Sequence, residues 1–224
     1  MDEAWNFVQK KQARVRLGDP ADVGDQYVFL ALAGAAKAII SYCVGKRTAE
    51  NTRAFVADLR ERVLGAPEIS SDAFLPYPPA IELAFGIDVH YGTIEKHVAA
   101  ETVVEAARRY SPSAVLAVKR QVVRGNPTHI STSFIERQNL TLRMSQRRFG
   151  RLVSAFSKKL ENHVAAVALY VAHYNLCRVH EALRITPAMQ LGVADHIWAS
   201  ASWLMRRSTG CWPDQAAGAT TASR

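Results

Sequence analysis

The chain has 224 residues, with 28 Lys and Arg against 20 Asp and Glu, a formal net charge of +8 and a pI near 9.6. About half of it is apolar, 49%, which excludes a disordered chain and gives enough material for one sizeable core plus appendages. No apolar run reaches the ~18 residues that cross a bilayer; the longest candidate, Phe29 to Val44, is interrupted by Gly34 and Lys37.

Met1 is followed at once by Asp2 and Glu3, so no secretory leader is expected there. Three scattered cysteines, Cys43, Cys177 and Cys211, exclude a disulfide scaffold and a four-cysteine zinc site and fit a reducing compartment. The positive balance favours a polyanionic partner.

The first half reads as strands: Trp5 to Val8, Gln26 to Leu32 and Ala38 to Val44, rich in aromatic and β-branched residues and separated by polar turns. Thr48 then caps a helix whose stripe is Phe55, Val56, Leu59 and Val63, ending at Gly65 and Pro67. Glu68 to Ala73 is a fourth strand. The prolines 76, 78 and 79 open a helix that runs through Phe85 and closes at Gly86, and Ile87 to His90 is a fifth strand. Ala114 to Val123 is a strand or part of an insertion.

From Ser131 the pattern is helical. One segment runs from Ser133 to about Arg148, and another from Ser157 to Asn175, with Leu160, Val164, Val167 and Val171 on its buried face. A disordered tail is expected from about Pro213. The order of elements is mixed α/β, a sheet flanked by helices. A ribonuclease-H-like fold with a mixed five-stranded sheet fits it, as do other α/β folds.

Three carboxylates fall at element ends: Asp2, Asp72 and Glu136. Brought together they would repel one another unless hard divalent cations sat among them. Each also has a plainer role open to it. Asp2 can be solvated, Asp72 can cap the following helix, and Glu136 closes a Ser133-x-x-Glu136 capping box. Residues 137 to 160 carry seven cations (Arg137, Arg143, Arg147, Arg148, Arg151, Lys158 and Lys159) and no acid. Such a block suits a phosphate backbone, or simply a solvated face. Asn139 and Arg143 share a helix face with Glu136. His173, Cys177 and His180 have spacing that suits zinc but lack an evident fourth ligand; a helix end braced by Tyr174, Asn175 and His180 is the competing account. Trp198, Trp203 and Trp212 suit either base stacking or terminal packing.

The wording of several segments is recognisable. Asp2-Glu3-Ala4-Trp5-Asn6-Phe7-Val8 resembles the opening of the catalytic domain of bacterial DDE-type insertion-sequence transposases, the group typified by insertion sequence one. Ser133 to Arg143, continued by Ala155-Phe156-Ser157-Lys158-Lys159, resembles the block that carries that family's catalytic glutamate. His173-Tyr174-Asn175, Arg178, His180, Leu183 and Thr186-Pro187-Ala188-Met189 resemble its closing signature.

The resemblance covers about residues 2 to 190. It implies a ribonuclease-H-like catalytic domain over 1–190 and a C-terminal extension over 191–224. It implies Asp2, Asp72 and Glu136 as catalytic, metal-binding residues for two Mg²⁺ ions, with Mn²⁺ as substitute. Arg137, Asn139 and Arg143 fall near the metals, where they would contact phosphate or orient Glu136, and with Arg147, Arg148, Arg151, Lys158 and Lys159 they would bind DNA.

The implied activity is strand cleavage and strand transfer on element ends and target DNA, by a homo-oligomer assembled on DNA, without membrane association, in the cytoplasm at the nucleoid. The family has glycine where this chain has Ala73, and a DNA-binding segment upstream of the first aspartate. The alternatives are a truncated, inactive DNA-binding remnant that modulates a full-length transposase, and a nuclease acting on RNA–DNA hybrids.

Overall fold

The computed structural model describes residues 1–98, 115–150 and 154–200. The chain divides into two compact units, Met1–Val171 and Ala172–Arg224.

In the first unit, β1 (Asp2–Val8), β2 (Gly24–Ala33) and β3 (Ala38–Gly45) form an antiparallel meander in the order β1-β2-β3. The strands are longer than their apolar cores suggest because register pairing extends them: Asp2 lies opposite Leu30 and Val8 opposite Gly24. Helix α1 (Ala49–Arg62) follows. Thr48 is its N-cap, with the side chain accepting from the Asn51 amide, and Phe55, Val56 and Leu59 are buried. Thr48→Ala removes that acceptor and is expected to cost about 1 kcal/mol, read as a lower urea midpoint with an unchanged slope.

Strand β4 (Glu68–Asp72) leads into helix α2 (Tyr77–Phe85). Gly86 ends that helix at φ +59°, a conformation that costs residues with a Cβ. Strand β5 (His90–Val98) pairs parallel to β4, and β6 (Val115–Arg124) pairs antiparallel to β5. The fifth strand therefore starts at His90, where the sequence places its end, and Val115–Arg124 is a strand. The described strands make two three-stranded sheets, not the single five-stranded sheet expected.

One core runs through this unit: Phe29 and Ala31 from β2, Phe55, Val56 and Leu59 from α1, Ala80, Ile81 and Phe85 from α2, and Ile69 and Tyr91 from the second sheet. Met1 is buried in it, and its ammonium donates to the Ser70 carbonyl at 2.5 Å. Burial of these apolar groups is the main stabilising term.

Helix α3 (Ser133–Ser145) buries Ile135, Gln138, Asn139 and Leu142, and a 3-10 turn at Arg147–Phe149 follows it. Helix α4 (Leu160–Ala172) buries His163, Ala166, Val167, Tyr170 and Val171. Val164, expected on the buried stripe, is exposed. A polar pair explains the rotation: His163 bonds Ser157, and the Tyr170 hydroxyl accepts from Gln138 at 2.7 Å.

In the second unit a π-helical turn, His173–Cys177, buries Tyr174, and a short helix α5 (Pro187–Gln190) is capped by Thr186. Trp198 donates its backbone amide to Leu176, and its ring stacks on His196. Arg151, Trp203, Cys211, Trp212 and the tail from Pro213 lie outside the described residues. Among the described residues no helix is long and apolar enough to cross a membrane.

Candidate metal centre

Asp2 is the first residue of β1 and Asp72 the last of β4. Together with Glu3 they form the one group of three or more His, Cys, Asp or Glu side chains, among the described residues, whose ligand atoms all lie within 4.8 Å of one another. His173, Cys177 and His180 make no such group, so the zinc reading of that segment has no geometric support.

Asp2 is not a solvated terminal acid: it is strand-paired and half-buried, and Asn139 of α3 donates to its Oδ2 at 2.8 Å. Asp72 does not cap α2, whose N-cap is Pro76 with no side-chain bond. Its Oδ1 accepts from the Phe74 amide at 3.3 Å instead. The adjacent Ala73 is exposed and has no positive φ, so a Cβ is tolerated in this turn.

Burial and mutual repulsion set the electrostatics. Desolvation first, then the neighbouring Asp72 charge, raises the Asp2 carboxyl above its usual range. The same two causes push Glu3 up to about 7. Asp72 is raised by desolvation. Tyr77, buried beside Glu3, is raised well above an ordinary phenol, by burial first and then by the Glu3 charge. The Tyr77 hydroxyl bonds the Glu3 side chain and offsets part of that rise, although the buried Glu3 Oε1 meets no well-aligned donor among the described residues. Three neighbouring carboxyls whose pKa values are all pushed upward mark a place that favours added positive charge.

Part of that charge is supplied by Arg47, from the link between β3 and α1. Its Nη2 lies 3.1 Å from Glu3 Oε2 and 3.3 Å from Asp72 Oδ2, and the guanidinium stacks 3.9 Å from the Phe74 ring.

Glu136 lies outside this acidic group. It is the fourth residue of α3, because Thr132 and not Ser133 is the N-cap, so the expected capping box does not form. Its Oε1 accepts from the Thr132 hydroxyl at 2.5 Å and from Lys96 of β5. Against the upward push of burial, these two donors hold the carboxyl below the usual range. One turn along, Asn139 makes the contact to Asp2, so α3 reaches the acidic group through an amide.

Within the basic block, Arg137, Arg147, Lys158 and Lys159 are exposed, whereas Arg143 and Arg148 are half-buried. Arg148 is structurally engaged: its Nη1 donates to Ser157 Oγ at 3.3 Å and the Asn162 carbonyl at 3.4 Å, and its own carbonyl accepts from Asn6.

Sequence reasoning missed Glu3, Arg47 and Lys96. Strand alternation assigns Glu3 to the face opposite Asp2, and nothing in the local spacing of Arg47 or Lys96 ties either to a distant carboxylate.

The donor set is all oxygen, which suits a hard cation such as Mg²⁺ or Mn²⁺ and not a thiophilic one. The buried Glu3 Oε1 is an acceptor that such an ion would satisfy. Compared with known proteins, the chain matches no family model, no curated protein and no solved structure.

Proposed function

We propose that this chain is the catalytic domain of a DDE-type insertion-sequence transposase, which cleaves DNA strands and transfers them to a target. The observation that carries the reading is the meeting of Asp2, at the start of β1, with Asp72, at the end of β4, under a helix whose Asn139 clasps Asp2. The strand pattern supports it. A β1-β2-β3 meander and a separate parallel β4-β5 pair are the pieces that a ribonuclease-H-like 3-2-1-4-5 sheet would need, with β1 and β4 paired where the Met1 ammonium donates to the Ser70 carbonyl.

Asp2, Asp72 and the adjacent Glu3 would hold the metal, with Glu136 joining them after release from Lys96 and Thr132. Two bound Mg²⁺, or Mn²⁺ in their place, would activate a water or a 3′-hydroxyl and stabilise the leaving oxygen of a phosphodiester. Asn139 orients Asp2. Arg137, Arg147, Lys158 and Lys159 would track the backbone of element ends and target, giving an affinity that falls steeply with salt. The working form would be a homo-oligomer on DNA, in the cytoplasm at the nucleoid.

A second reading, an inactive DNA-binding remnant, is favoured by the engagement of Glu136 with Lys96 and Thr132 away from the acidic group. Joining of a pre-cleaved element end to target DNA in Mn²⁺ decides between them. Strand transfer supports the first; salt-sensitive binding without any joining supports the second.

A further inference from the structure

Resting on the reading that the acidic group holds a divalent cation, we propose that Arg47 is the exchangeable counter-charge of that site. With no ion bound it neutralises Glu3 and Asp72. It competes with the ion for these carboxylates, and once displaced it turns its guanidinium to a backbone phosphate of the DNA.

The geometry carries each part. One guanidinium nitrogen, Nη2, serves both Glu3 and Asp72, two of the three acids of the group. An ion drawing on the same acids and the guanidinium cannot both be fully satisfied, so entry of one weakens the other. Arg47 and the Tyr77 hydroxyl both act on Glu3, whose side chain is only 3% exposed, yet its buried Oε1 still meets no well-aligned donor among the described residues. The guanidinium therefore compensates the site incompletely, where an ion would complete it.

Displacement does not require unstacking. The Phe74 ring lies 3.9 Å from the guanidinium carbon and the Tyr27 ring 5.8 Å away, so the planar group can change hydrogen-bond partners on an aromatic platform. The side chain is 37% exposed, open to a ligand from solvent. The fork that pairs with carboxylates also pairs with phosphate, which favours a phosphodiester as the displaced partner.

The test is a calorimetric titration of Mn²⁺ into the full chain without DNA, comparing wild type, Arg47→Gln, Arg47→Lys and Asp72→Asn. Melting is recorded in EDTA and in Mn²⁺. Arg47→Gln is expected to bind Mn²⁺ about fivefold tighter, the loss of one partly exposed guanidinium that competes for both carboxylates. It should melt lower in EDTA and gain more from Mn²⁺ than wild type does. Arg47→Lys keeps a charge without the fork and should fall between, which preserves the test if the glutamine variant does not fold.

In Mn²⁺, Arg47→Gln should also lower the salt slope of DNA binding by about one; an unchanged slope overturns the phosphate role. If either Arg47 variant binds Mn²⁺ no tighter than wild type while Asp72→Asn abolishes binding, the exchange is wrong and the cation site stands. If wild type binds no Mn²⁺, or Asp72→Asn binds it equally well, the cation site fails and the exchange fails with it.

Discussion

Asp72→Asn is expected to lower Mn²⁺-dependent DNA strand transfer by at least ~10³-fold while leaving salt-sensitive DNA binding nearly intact. The substitution is close to isosteric and keeps an oxygen for the Phe74 amide, so the turn after β4 survives. It removes one of the charges that draw a cation to the acidic group, and stability in EDTA should hold or rise, because a half-buried carboxylate with a raised pKa is costly to ionise. Glu136→Gln tests the remaining ligand separately. It should abolish joining to a similar degree, although Glu136 is engaged with Lys96 and Thr132. Full joining by Glu136→Gln would exclude it from the metal site and leave its ion pair as its role.

The second large effect is acid destabilisation through His163. This imidazole is fully buried in α4, packs on the Phe149 ring with centroids 5.0 Å apart, and bonds Ser157 through Nδ1 at 3.1 Å. Its Nε2 is buried and makes no hydrogen bond among the described residues. Desolvation, aided by the nearby Arg148 charge, lowers its pKa from 6.5 to about 4. Between these two values the unfolded chain binds the proton and the folded chain does not. Stability from this group is therefore complete above pH 6.5 and is lost as pH falls toward 4, on the order of 3 kcal/mol.

Glu3 acts with the opposite sign. Its raised folded pKa means that its ionisation opposes folding as pH rises from 4.5 to about 7. The slope of wild type alone mixes the two, so the informative quantity is wild type minus His163→Asn, an exchange that keeps a polar atom near the Nδ1 position. Urea unfolding across pH 7.5 to 4 should show that difference shrinking as the medium is acidified. A difference that does not change with pH would contradict a neutral, buried His163.

These two sites differ in how far the sequence discloses them. Strands at Asp2–Val8, Gly24–Ala33 and Ala38–Gly45 and the Thr48-capped helix are legible because aromatic and β-branched runs, polar turns and a 3.6-residue stripe all agree there. The strand His90–Val98 is not. Glu95, Lys96 and His97 are successive exposed polar residues, so no two-residue apolar alternation marks it, and the apolar Ile87 that suggests an earlier strand is exposed.

The buried face of α4 is misjudged for a related reason. His163 and Tyr170 fill it through polar pairings, while Val164 faces out. At the acidic group, Asp2 and Asp72 are visible in the sequence because each sits at an element end. Glu3, Arg47 and Lys96 are not, because their roles come from tertiary approach: Arg47 spans from the β3–α1 link to β1 and β4, and Lys96 from β5 to α3.

The most direct test of the account is crystallographic: crystals grown with Mn²⁺, with data collected at the manganese absorption edge. The account predicts an anomalous peak within about 2.5 Å of oxygens from both Asp2 and Asp72, with the Arg47 guanidinium moved off Glu3 and Asp72. Crystals in saturating Mn²⁺ with no peak between those two carboxylates, and Arg47 still bridging Glu3 and Asp72, would contradict it.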